Sequence, residues 1–136
     1  MLATNSYPPE YIKQCRANID DVLKAYRKVA TAAKSDPSVA KFAPLFFNHL
    51  VLALDEYFVH RLRAVEGKDG NPLNEVRIIA TSLMLHDGIL TVEKSIKFKP
   101  EASVLGLAPG EPIVLDEKSF TKLAAAYFDE IEGKFT

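Results

Sequence analysis

The stretch from Phe42 to Gly88 limits the fold more than any other. It reads FAPLFFNHLVLALDEYFVHRLRAVEG, then KDGNP, then LNEVRIIATSLMLHDG. Two apolar patterns of helical period flank a polar link rich in turn formers. Helices joined by so short a link lie side by side, so the spacing predicts a helical hairpin. The stretch also holds all three histidines, His49, His60 and His86.

The earlier of these two helices is expected over about 39–66, after the KSDPS turn, with Pro44 either kinking it or marking its start. One side is apolar, with Phe46, Phe47, Leu50, Val51, Leu54 and Phe58. Arg61 intrudes near the end of that side, where a long stem can snorkel outward. The opposite side mixes Asn48, His49, Asp55, Glu56 and His60 with Leu45, Leu52 and Val59. Such a helix is expected to be central and covered on both sides, with its polar groups partly buried. The later helix is expected over about 72–87, opened by the cap pair Asn71–Pro72 and closed by Gly88.

Before the hairpin, a helix over about 10–33 carries Ile12, Cys15, Ile19, Val22, Tyr26, Val29 and Ala33 in alternating steps of 3 and 4. That seam packs onto this chain or onto a second copy. After the hairpin the pattern changes. Ile96 and Phe98 alternate with Lys97 and Lys99, and Ile113 and Leu115 flank Val114, which predicts a short antiparallel β-hairpin over about 94–115. A last amphipathic helix follows over about 117–132, capped by Asp116 or Ser119. The expected fold is mainly α, α+β only through this small insert. It is a four-helix bundle-like core in one domain, residues 1–136, with the hairpin between the third and fourth helices.

Charge excludes some functions. With 17 basic and 18 acidic residues the net charge is −1, which gives no general drive toward nucleic acid or an anionic membrane. Lys94, Lys97 and Lys99 read as protection of an exposed strand edge. The longest uncharged apolar run, between Lys41 and Asp55, has 13 residues, fewer than the roughly 20 needed to span a bilayer. The opening MLATNSYPPEYIK lacks a basic segment followed by an apolar one, so no signal peptide is expected. The single cysteine, Cys15, excludes an intrachain disulfide and reads as a small core residue. A soluble, cytoplasmic protein is expected.

Two places invite chemistry. His49, Glu56 and His60 share one side of the second helix, flanked by Asp55, and imidazole with carboxylate suits a divalent transition metal. Glu56 and His60, four apart, can reach one ion, and His86 is the histidine left to complete the set. No HExxH or paired carboxylate motif supports it, and an ordinary i,i+4 pair explains the spacing equally. The second place is the loop EGKDGNPLNEVR. Lys68, Gly70 and Asn71 at a helix amino end, with Arg63 and Arg77 nearby, can hold an anion or other small-molecule ligand. The same loop needs glycines and a cap simply to join two helices, and Arg63, Glu66 and Arg77 also suit a salt-bridge network. No Walker or GxSxG motif is present, and Arg77 and His86 are too far apart for the Rx4–6H pair of helical RNases. The expected function is a non-catalytic interaction module that forms a homodimer, with a metal or small-ligand site as the alternative.

Overall fold

The computed structural model describes residues 3–136. Four long helices and one single-turn helix make up the frame: α1 (Pro9–Ala32), α2 (Pro37–Glu56), α3 (Arg63–Glu66), α4 (Pro72–Leu85) and α5 (Glu117–Phe135). Local chemistry sets most of the ends. Asp36 caps α2 by accepting from the Ser38 N–H, and Asn71 caps α4 by accepting from Leu73 and Asn74. Asp116 and Ser119 cap each other's backbone in a capping box at the start of α5. Asp87 and Gly88 both take positive φ, and Gly88 donates back to the Ser82 carbonyl, which stops α4. Pro44 is accommodated inside α2.

The hub is α5, which packs on α4, α1, α2 and α3. Its stripe of Phe120, Leu123, Tyr127, Phe128, Ile131 and Phe135 is buried throughout. The α1 seam is used inside the chain over its first half, where Ile12, Cys15, Ile19 and Leu23 are buried. Leu23 replaces the expected Val22 because a straight helix repeats every 3.6 residues and drifts off a strict 3–4 seam. Val29, at the far end, is left exposed.

Three expectations are overturned here. Among the described residues there is no β-strand, so the hairpin over 94–115 does not form. The alternation itself is real, because Ile96, Ile113 and Leu115 are buried and Lys97 and Val114 exposed. The two segments bond to other partners instead of each other. Lys97 donates to the Lys68 carbonyl, and Ile113 to the Gly88 carbonyl. The Asn48 side chain accepts from Leu115 N–H and donates to the Ile113 carbonyl. Among the described residues a pair of isolated bridges, Thr4–Arg61 and Ile89–Pro112, is all the pairing present.

The second helix also ends early. It stops at Glu56 instead of continuing to 66, passes through a tight turn over 57–60, and restarts as α3. Thr4 donates to the His60 carbonyl and accepts from Leu62, so an extended lead-in holds this break open. α2 is not covered on both sides either. Phe47, Val51 and Leu54 are buried, whereas Phe42, Leu45, His49 and Glu56 are exposed.

Candidate functional site

The break after α2 turns Arg61 inward, and its side chain is fully buried. The sequence placed it on the apolar side and had it snorkel outward; the bend removes that route. A buried guanidinium requires partners for its donors. Arg61 Nε donates to Glu66 at 2.8 Å, Nη1 to Asp55 at 3.0 Å and to the Phe58 carbonyl at 3.0 Å, and Nη2 to the Leu73 carbonyl at 3.2 Å. Nη1 also lies 3.2 Å from the Tyr127 hydroxyl.

Glu66 is the centre of this cluster. Its two oxygens take Arg61 Nε, Arg77 Nε and Nη2 (3.0 and 2.6 Å) and the Asn74 amide (2.8 Å). Burial alone would raise its carboxyl. The Arg77 and Arg61 guanidinium groups and Asn74 outweigh that and hold it below the usual carboxylate range. Burial likewise works against the Arg61 charge, yet the facing Tyr127, Asp55 and Glu66 keep it firmly protonated. The centre is neutral in sum, two guanidiniums against two carboxylates, and its buried oxygens are saturated. It organises α2, α3, α4 and α5 and has no vacancy for a ligand of its own.

What the centre presents outward is one edge of Arg77. Nε and Nη2 are clamped by Glu66, and no described residue bonds Nη1. Arg77 lines a cleft of about 260 Å³ between α4 and residues 91–93, together with Thr81, His86, Thr91 and Glu93. Ile78 and Val92 give it apolar walls. Ser82 is the hinge of this cleft, since its hydroxyl accepts from the Thr91 N–H at 2.9 Å.

The predicted metal residues do not converge. Glu56 ends α2, His60 lies beyond it in the turn, and the helical four-residue register between them is lost. His49 is exposed, and its ring bonds the Leu45 carbonyl at 2.7 Å. His86 is exposed in the α4–91–93 cleft, whereas Glu56 lines a different one with Asp55, Leu52 and Met84. Among the described residues no group of three or more His, Cys, Asp or Glu side chains is placed to hold a metal ion.

The predicted anion loop divides in two. Asn71 is spent on capping α4, and the Gly70 N–H donates to Asn74. A side chain at Gly70 has no room, with the Lys97 carbonyl 2.5 Å from where a Cβ would stand and φ at +89°. Lys68 is exposed. The α4 amino end is therefore closed to an anion, while Arg63 and Arg77 stand on the far side, about Glu93. Of the alternative salt-bridge network, Glu66–Arg77 forms, but Arg61 takes the place given to Arg63. Sequence reasoning missed Arg61, Asn74 and Tyr127. The available signal was an arginine on an apolar helix side with an acid five residues on.

Comparison with family models, with curated proteins and with solved structures finds no match to this chain.

Proposed function

We propose that the chain is a non-catalytic, cytoplasmic interaction module that forms a homodimer through the outer face of α2 and α4. The observation that carries this is one apolar patch. Leu45 (63% exposed), Met84 (67%), Leu85 (73%), Ile89 (38%) and Val114 (63%) lie around the end of α4. The bonding brings their segments together: Asn48 ties residues 113–115 to α2, Gly88 ties them to the end of α4, and Met84 and Leu85 share a cleft with Leu52 of α2. Together they leave on the order of 500 Å² of apolar surface, at the upper end for a monomer and a large part of the roughly 800 Å² each partner contributes to a standard interface.

A second copy fits the charges. The outer face of α2 runs from Lys41 through Leu45 and His49 to Glu56, basic at one end and acidic at the other. A twofold contact with the two α2 helices antiparallel sets Lys41 against Glu56 of the second copy and Leu45 against its Leu52.

Sedimentation equilibrium of the wild type and of a Leu85→Glu variant tests this. A concentration-dependent dimer that the variant reduces to monomer supports the reading. A wild-type monomer at tens of micromolar overturns it. α2 is also long and apolar enough, by length and composition, to cross a membrane. A monomer that sediments with lipid vesicles would therefore give the face to a membrane surface.

A further inference from the structure

We propose that the cleft between α4 and residues 91–93 is a binding site for a small molecule bearing an oxyanion, with Arg77 in its lining and Arg63, which adjoins it through Glu93, as recognition groups and Glu93 as an internal occupant that gives way. Arg77 is the fixed element. Its bidentate pairing with fully buried Glu66 holds the guanidinium plane, leaving the Nη1 edge for a ligand without further ordering cost.

Arg63 is the under-used element. Its Nε is buried without a partner, and its Nη2 lies 3.4 Å from Glu93, long beside the 2.7–2.9 Å usual for a charge-assisted bond. A buried donor left unpaired costs stability, and a native structure rarely keeps one without use. Glu93 is an exposed carboxylate that accepts from the Ser95 hydroxyl at 2.8 Å, pairs with Arg63 at 3.4 Å and lines the cleft with Arg77. It thus occupies the place an external carboxylate or phosphate would take.

The charge balance favours an anion over a cation. Arg77 is neutralised by Glu66, and Arg63 by Glu93 alone. When Glu93 swings to solvent, Arg63 is left without a countercharge at the Glu93 end of the cleft. His86, Thr81 and Thr91 add hydrogen-bonding groups, and Ile78 and Val92 receive the organic part. About 260 Å³ suits a ligand at or below the lower end of ordinary small-molecule sites. The site does not depend on dimerisation, although it adjoins the apolar patch at Thr81.

The test is titration of the full chain with phenyl phosphate and with benzoate at constant ionic strength, read by the His86 imidazole resonances. Wild type is expected to bind in the millimolar range, and Glu93→Gln about tenfold tighter because the competing charge is gone. Arg63→Gln is expected to lose binding at least tenfold while its melting temperature holds, since its one ion pair is half exposed. Binding of phenyl phosphate alone specifies a phosphate ligand, and binding of both specifies a general oxyanion site. No His86 shift with either ligand in wild type and in Glu93→Gln overturns the proposal. So does a shift of the same size and midpoint in all three proteins.

Discussion

Glu66 and Glu75 stand nine residues apart on either side of the α4 amino end, both buried, and their carboxyl groups are pushed in opposite directions. Glu66 faces two guanidinium groups. Glu75 has no guanidinium. Burial raises its carboxyl, and the N–H groups of Val104 and Leu105, at 2.8 and 3.0 Å, offset this only in part, as does the more distant Lys122. Equal burial therefore gives one carboxyl whose proton affinity facing charge brings below the ordinary value, and one whose proton affinity stays above it despite the backbone dipoles. The difference teaches that the charge facing a buried acid, more than its depth, decides its proton affinity.

The largest expected effect comes from removing the Glu66 charge. Glu66→Gln leaves Arg61 buried with Asp55 as its one remaining countercharge, and urea unfolding should show a loss of about 3–5 kcal/mol. Replacing Arg61, Glu66 and Arg77 together by methionine should recover part of it, because the one charge then left without its partner is the partly exposed Asp55. A single variant no weaker than the triple one would break the comparison.

A smaller effect separates the two acids by pH. Glu66 has a folded pKa below the unfolded value near 4.5, so its stabilisation is present above that value and is lost as pH falls through the folded pKa. Glu75 has a folded pKa above 4.5, so its favourable state lies below 4.5 and stability is lost as pH rises through the folded value. The Glu66→Gln deficit should shrink on acidification, and the Glu75→Gln deficit should shrink as pH rises from 4 to 7. Denaturation midpoints from pH 7 down through the folded pKa of Glu66, below 4.5, check both signs.

The smallest effect is Glu75→Gln at neutral pH. One amide oxygen keeps part of the bonding to Val104 and Leu105, and the buried charge disappears, so the cost should be about 1 kcal/mol or less. A loss equal to that of Glu66→Gln would mean that residues 103–106 matter to the fold as much as the arginine cluster.

Much of the frame was legible along the chain. The caps at Asp36, Asn71 and Asp116 and the stop at Gly88 are local events, decided within three or four residues. The apolar face of the last helix was legible as well, because one period holds from Phe120 to Phe135. The in-and-out alternation about Ile96 and Ile113 was also correct, but alternation states only which side faces the core. Which groups accept the backbone hydrogen bonds is a separate question, and here Asn48, Gly88 and Lys68 answered it, each distant in sequence from the segment it holds.

The candidate site was less legible for the same reason. Arg63 and Arg77 were marked beside a turn, but their placement about Glu93 depends on how residues 91–93 fold back onto α4 through Ser82. His49, Glu56, His60 and His86 were grouped on the premise of an unbroken helix to 66. The break at 57–62 spreads them over separate surfaces.

By itself the sequence determined the stretches that become helices apart from the break at 57–62, their caps, the apolar stripes and a net charge near zero, since these follow from periodicity, short-range bonding and composition. Only the tertiary structure decided that Arg61 turns inward, that Glu66 gathers two guanidiniums, and that α2 keeps an open apolar face. Those outcomes depend on which distant groups meet in space, and the cost of burying a charge is settled by partners that neighbouring residues do not supply.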